Sequence, residues 1–160
     1  MWDLAGQVAI ITGGAQGIGL GIARAFVREG VAVVLTDIDA EALETAGDSL
    51  GQLVEGARTL TIVSDAKDHD GAAAVVAATL EEFGRLDILV NNAQQFIPSL
   101  PIEEHTWQHF VDAYESGVFA TWRYMTAAFE ALKATKGTVI NMGSGAGVMA
   151  QPQQAAYGSN

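Results

Sequence analysis

Short apolar segments alternate with longer segments of helical periodicity along this chain. That alternation is typical of strand–helix–strand units on a parallel sheet. The predicted strands cover residues 8–11, 31–35, 59–63, 87–90 and 137–142. The predicted helices cover residues 18–29, 40–50 and 71–83, with one or two more between 103 and 133. Because the strands are continuous apolar runs, we expect helices on both faces of a doubly wound α/β sheet.

The end of the chain departs from this regular alternation. A glycine-rich loop over residues 143–154 follows the fifth predicted strand, and residues 155–160 have the composition of a new helix. A fifth strand at the sheet edge would then lack a helix on its outer face. The sequence therefore predicts a single domain over residues 1–160 that is truncated after its fifth strand.

Composition narrows the classes of function. A chain with 49% hydrophobic and 17% charged residues can bury the core of one globular domain. Its net charge of -11, with only eight Lys and Arg, argues against a nucleic-acid partner. The lack of cysteine excludes disulfides and thiolate zinc sites, and it favours the cytoplasm. Neither a leader in residues 1–4 nor a membrane-spanning apolar run is predicted.

A glycine-rich turn joins the first predicted strand to the first predicted helix. Gly13, Gly17 and Gly19 would let the backbone approach a ligand closely, and the helix N-terminus would offer N–H groups to a pyrophosphate. Asp37 ends the second strand 18 residues beyond Gly19, close to the spacing of about 20 at which a carboxylate binds a ribose 2′-hydroxyl. The combination predicts a dinucleotide site of the Rossmann type.

Two other interpretations of these residues remain open. Glycine-rich turns also occur without a ligand, and Asp37 could cap the following helix, although Asp39 could fill that role instead. If Asp37 does face a ribose, its charge would repel a 2′-phosphate. Since neither Gln16, Ile38 nor Asp39 is basic, the sequence favours NAD over NADP.

At this point the chain resembles the short-chain dehydrogenase/reductases (SDR) over all 160 residues. Thr12 to Gly19 matches their glycine motif in full, and Asp37 matches their acidic NAD selector. Their Asn-Asn-Ala-Gly motif is similar to residues 91–94, except that Gln94 replaces the glycine. The resemblance implies a cofactor site built from Gly13, Gln16, Gly17, Ile18, Gly19, Asp37, Ile38, Asp65, Ala66 and Asn92, in which Asp65 and Ala66 contact adenine.

The same resemblance implies hydride transfer between nicotinamide and a secondary alcohol or ketone. Ser144 would hold the substrate oxygen and Tyr157 would act as acid and base, at the family's spacing of 13 residues. The family's lysine, four residues after the tyrosine, would be residue 161, and Lys133 and Lys136 precede the fifth strand and cannot replace it. The family also has an asparagine where Tyr114 stands.

These departures leave three hypotheses open. The first is an NAD-dependent oxidoreductase acting on a small alcohol or ketone, and the alternative is a non-catalytic NAD-binding module or pseudoenzyme. The third, ranked last, is a naturally truncated chain that acts through dimerisation. The sequence does not identify the substrate. The residues expected to flank Ser144 and Tyr157, where they could line a pocket, are Gln94, Gln95, Phe96, Ala146, Met149 and Gln154. The resemblance also implies a homo-oligomer.

Other residues favour structural roles. His105 and His109 have the spacing of helical metal ligands, but no third partner accompanies them, so we expect exposed helix residues and no metal site. An aromatic group in the long helical region is expected to pack in the core, with some members possible at a subunit interface. Its members are Trp107, Phe110, Tyr114, Phe119 and Trp122.

Overall fold

The computed structural model describes residues 4–160, so the N-terminal prediction for residues 1–3 lies outside it. The strands are β1 (Val8–Thr12), β2 (Ala32–Asp37), β3 (Thr59–Val63), β4 (Ile88–Asn91) and β5 (Thr138–Asn141). The helices are α1 (Gly17–Arg28), α2 (Ala40–Leu53), α3 (Gly71–Phe83), α4 (Trp107–Tyr114), α5 (Ala120–Thr135) and α6 (Ala155–Gly158). The predicted elements are confirmed, with small shifts at their ends.

The five strands form one parallel sheet in the order β3-β2-β1-β4-β5. The strand order changes direction at β1: β2 and β3 lie on one side of it, and β4 and β5 lie on the other side. β1 and β4 are therefore neighbours in space but not in sequence. In open α/β sheets, ligands bind at the carboxyl edge where this reversal opens a crevice. The order therefore confirms the doubly wound fold and places the loops after β1 and β4 together.

Alternate residues of β1 pack into two separate core clusters, as the pleat of a strand requires. Ile11 packs with buried residues of α1 and α2 on one face of the sheet. Ile10 packs with residues of α3 and α5, including Tyr124, on the other face. The helices thus cover both faces of the central strands and fix the positions at which those strands end.

Coverage is incomplete at β5, as the sequence predicted for a fifth strand at the sheet edge. This strand pairs only with β4 among the described residues, and Val139 and Ile140 are 38% and 39% exposed. Its position at the sheet edge was predicted and explains the exposure. Within residues 4–160, none of the helices combines the length and the apolar character needed to cross a membrane.

The helical region after residue 103 differs from the prediction in two ways. A five-residue π-helical turn, Glu115–Phe119, joins α4 to α5 without a break. The core role predicted for the aromatic residues is wrong for Trp107, Phe119 and Trp122, which are 81%, 45% and 63% exposed. The packed face of these helices is instead formed mainly by small side chains, among them Ala113, Ala120 and Ala128.

Candidate functional site

The glycine loop between β1 and α1 adopts a conformation that other residues cannot easily reproduce. Gly13 and Gly17 have φ angles of 62° and 55°, in the left-handed region that favours glycine. A Cβ atom on Gly13 would lie 2.9 Å from the Cα atom of Ala93, and one on Gly19 would collide with the carbonyl oxygen of Gly13. The three glycines therefore bring α1 and the loop after β4 close to the end of β1.

The N-terminus of α1 opens toward this loop. Gln16 is the N-cap residue, has an extended backbone, and makes no side-chain capping hydrogen bond. The first N–H groups of a helix have no partner within the helix and carry a partial positive charge. Gly17 and Ile18 begin the helix at this point, so their backbone can bind an anion such as a pyrophosphate.

Asp37 connects the end of β2 to the glycine loop. Its Oδ2 accepts a hydrogen bond from the backbone N–H of Ala15 at 3.2 Å, and its Oδ1 accepts one from Ile38 at 2.8 Å. Two carboxylate oxygens have about four acceptor positions, which leaves capacity for a ligand hydroxyl. The helix-capping role belongs to Asp39, whose Oδ1 accepts from the N–H of Ala42 at 3.0 Å.

Asn92 holds the loops after β1 and β4 together. Its Nδ2 donates to the carbonyl oxygens of Thr12 at 3.0 Å and Gly13 at 3.1 Å. Its backbone N–H, like that of Ala93, donates to Oγ1 of Thr12 at 2.9 Å. Both amide hydrogens of Asn92 are therefore used inside the protein, where they fix the shape of the glycine loop.

A cavity of about 480 Å³ lies at this carboxyl edge of the sheet. It brings together seven of the ten predicted cofactor residues: Gly13, Gln16, Asp37, Ile38, Asp65, Ala66 and Asn92. The other three, Gly17, Ile18 and Gly19, are in the adjoining first turn of α1 and are not part of the lining. Gln94, Gln95 and Phe96 also line this cavity.

Several lining residues were not predicted from the sequence. Lys67 directly follows the predicted pair Asp65 and Ala66, so its position was available from that motif. Ser116 and Tyr124 come from the π-helical turn and α5, far along the chain, and no local pattern indicates them. Burial raises the pKa of the Tyr124 phenol above its usual value of 10.0, so this side chain presents a neutral hydroxyl.

The predicted catalytic residues lie on segments outside the lining of this cavity. Ser144 follows β5 and is exposed, and its Oγ accepts a hydrogen bond from the N–H of Ala146 at 3.2 Å. Tyr157 is half-buried on α6 and packs beside the buried side chains of Ile97 and Ala156. The short helical turn after Ser144 contacts α6, so the two segments are neighbours at the carboxyl edge of β5.

Tyr114, which replaces the family's asparagine, contacts the same helical segment. Its phenol donates a hydrogen bond to the carbonyl oxygen of Ser159 at 2.6 Å. The side chain of Asn160 lies against Gly117 in the π-helical turn. The segment 157–160 is therefore tied directly to the helical region that follows β4.

The histidines form no metal site in the part of the chain that the structure describes, where no group of three or more potential ligands is found. The prediction that His105 is exposed on a helix is wrong, since both of its ring nitrogens are buried without a hydrogen-bond partner. Its ring packs edge-on against those of His109 and Phe110, at centroid distances of 5.5 and 5.8 Å. His109 instead completes a capping box with Thr106 at the start of α4.

Comparison with known proteins agrees with this architecture. A 12alpha-hydroxysteroid dehydrogenase from a Clostridium species is 39% identical over 158 residues, which are 95% of this chain and 61% of that protein. An L-fucose dehydrogenase from Oryctolagus cuniculus is 39% identical over 153 residues, 96% of this chain and 52% of that protein. The chain thus spans about half to three fifths of these relatives.

A solved structure and a family match extend the comparison to the whole fold. The structure of an NAD+-bound xylitol dehydrogenase superimposes with a TM-score of 0.93 at 28% identity, covering 99% of this chain and 60% of that one. The sequence family described as short chain dehydrogenase matches residues 7–160. On these grounds, and on its glycine motif and sheet order, the chain belongs to the short-chain dehydrogenase family.

Proposed function

We propose that these residues form the cofactor-binding part of an NAD-preferring oxidoreductase that interconverts a secondary alcohol and a ketone. The observation that carries this proposal is the placement of Asp37. Its carboxylate lines the cavity and is bonded to the glycine loop, beside the uncapped N-terminus of α1. A site for an anion next to a half-buried carboxylate suits a pyrophosphate joined to a ribose with free hydroxyls.

The charges of the cavity support a preference for NAD over NADP. Asp37, Asp39 and Asp65 all line it, whereas Lys67 is the one basic side chain in that described lining. The Nζ atom of Lys67 lies 3.3 Å from Oδ1 of Asp112, so its charge is already paired. A 2′-phosphate would meet carboxylates without a free cation to offset them.

The catalytic step is assigned to Ser144 and Tyr157. Bound NAD supplies the hydride acceptor for alcohol oxidation and, as NADH, the donor for the reverse reaction. In alcohol oxidation the deprotonated Oη atom of Tyr157 would accept the proton of the carbinol oxygen and become a phenol, and the Ser144 hydroxyl would donate a hydrogen bond to that oxygen. Relatives named for a hydroxysteroid, fucose and xylitol support a hydroxyl-bearing small molecule as the substrate class.

The exposed aromatic side chains support assembly into a homo-oligomer. Trp107, Trp122 and Phe129 are 81%, 63% and 58% exposed on α4 and α5. Large exposed apolar groups on neighbouring helices are typical of protein interfaces. Sedimentation velocity should therefore show a species larger than the monomer, and a purely monomeric protein at micromolar concentration would contradict this assignment.

Cofactor binding and turnover are tested separately, both on the full-length protein. Titration with NADH should increase nicotinamide fluorescence and raise the melting temperature, and NADPH should do so only at higher concentration. No response to millimolar NADH would refute the proposal. In the full-length protein, Tyr157→Phe should abolish turnover and retain NADH binding. Binding by a wild-type protein that turns over no alcohol or ketone would instead support the non-catalytic module.

A further inference from the structure

The loop that follows β3 is joined to two distant segments by one ammonium group. Lys67 Nζ donates hydrogen bonds to Oε1 of Gln95 at 2.9 Å and to Oδ1 of Asp112 at 3.3 Å. Gln95 follows β4 and Asp112 is on α4, so three segments meet at this side chain. Lys67 and Gln95 both line the cavity, whereas Asp112 is not part of its lining.

A second contact fixes the same loop from α5. Arg123 is only 8% exposed, and its guanidinium lies 2.5 Å from a carboxylate oxygen of Glu115. Another guanidinium nitrogen donates to the carbonyl oxygen of Ala66 at 3.4 Å. Within the loop, Oδ1 of Asp65 accepts from the N–H of Lys67 at 2.8 Å. The backbone around Ala66 is therefore held on both sides.

The sheet order shows which part of a dinucleotide would meet this loop. β1 carries the glycine loop, β2 carries Asp37, and β3 lies beyond β2. Neighbouring strands are about 4.8 Å apart, so a ligand with its pyrophosphate at α1 and its ribose at Asp37 extends over the end of β3. The base attached to that ribose would reach residues 65–67.

We propose that Lys67, Gln95 and Asp112 form a polar clasp that positions the wall of the cavity against the adenosine half of the cofactor. The proposal rests on the proposed function, because it assumes that a dinucleotide occupies this cavity. Lys67 and Asp112 are positioning residues, since they hold the loop and need not touch the reacting atoms. A loop already held in its bound conformation loses less entropy when the ligand binds.

The clasp should matter more for affinity than for stability. The Lys67 side chain is 36% exposed, and ion pairs of this kind contribute little to folding. The pKa of Asp112 is held below its usual value, first by a hydrogen bond from Gln108 and also by Lys67. Asp112 is therefore ionised at neutral pH, where binding would be measured.

The test uses two variants that change charge in opposite directions. Lys67→Met removes a positive charge and Asp112→Asn removes a negative charge, so a purely long-range effect on an anionic ligand would weaken binding in the first variant and strengthen it in the second. The clasp predicts that both variants weaken NADH binding, each by about two- to fivefold. The double variant should bind NADH no more weakly than the single variant with the lower NADH affinity.

Further measurements separate positioning from general damage. ADP-ribose should lose as much affinity as NADH in each variant, because the two ligands share the adenosine half. Lys67→Arg should recover most of the loss, and melting temperatures should change little. Lys133→Met is the matched control, since its partner Glu130 lies 3.5 Å away on an exposed surface where the two side chains are 63% and 78% exposed.

Several outcomes would overturn the clasp. These are unchanged NADH affinity in both variants, tighter binding by Asp112→Asn, additive losses in the double variant, or an equal loss in Lys133→Met. In each of these cases the wild-type chain still binds NADH, so the proposed function stands while the clasp fails. A wild-type chain that binds neither NADH nor ADP-ribose would refute both.

Discussion

Replacing Asp37 with alanine tests the cofactor preference most directly. The carboxylate accepts hydrogen bonds from the N–H groups of Ala15 and Ile38 and retains capacity for a ribose hydroxyl. A hydrogen bond to a charged acceptor contributes about 1.5–3 kcal/mol. Loss of one such bond should therefore weaken NADH binding by about 10- to 150-fold.

The same substitution should strengthen the binding of NADPH relative to that of NADH. Two unit charges 4 Å apart repel by about 1 kcal/mol in bulk water and by about 4 kcal/mol at an effective dielectric constant of about 20. Because Asp37 is only half-buried, we take the lower part of this range, about 1–2 kcal/mol, which is about a 5- to 30-fold effect. Together the two effects should narrow the preference for NADH by at least about 50-fold.

Competition titrations of both cofactors at one ionic strength measure the ratio of the affinities for NADH and NADPH. Asp39→Ala is the control, because Asp39 lines the same cavity but caps α2 through the N–H of Ala42. Loss of that cap should cost about 1 kcal/mol of stability and leave most of the NADH preference in place. If Asp37→Ala lowers the melting temperature but keeps the wild-type ratio, Asp37 has a structural role alone.

Two further changes test the loop and the charges beside it. Gly13→Ala adds about 1–2 kcal/mol of left-handed backbone strain and a methyl group 2.9 Å from the Cα atom of Ala93, so calorimetric titration should show much weaker NADH binding. Gly21→Ala, whose added Cβ meets no atom within 4 Å, should bind normally, and an equal loss there would disprove the reasoning. Because the pKa of Asp112 is lowered in the folded protein, its ionised carboxylate stabilises the fold fully above pH 3.8. This stabilisation is lost as the pH falls through the lowered pKa. The small difference in melting temperature between wild type and Asp112→Asn should disappear only in that acidic range, and its disappearance near pH 6 would contradict this.

The fold and the cofactor loop were predictable because their signals are local. The central strands of the sheet are short apolar runs, and the helices between the strands carry a helical periodicity. The glycines of the first loop are adjacent in sequence to the strand and helix that they join. Asp37 and Asp65 could be placed because each follows a strand, and the carboxyl ends of parallel strands meet at one edge.

The rest of the site depends on contacts between residues far apart in sequence. Lys67 and Asp112 are 45 residues apart, and Arg123 reaches Ala66 across 57 residues. Periodicity reports which face of a helix is apolar but not which side chain of another segment it meets. The exposed Trp107 and Trp122 show the same limit, since their apolar character alone predicts burial and the small residues on the opposite face were better packed.

Sheet order also predicts that the proposed cofactor site and the proposed catalytic residues can be tested separately. The cavity proposed for the cofactor is fixed by β1, β2 and β4, whose central residues are buried. Within the glycine loop, the carbonyl oxygen of Gly13 accepts a hydrogen bond from Asn92, and the N–H of Ala15 donates one to Asp37. Ser144 and Tyr157 are instead on segments that follow β5, the exposed edge strand. Because the proposed anion site is well packed and the segments of Ser144 and Tyr157 are less buried, substitutions near Ser144 should affect turnover before they affect NADH affinity.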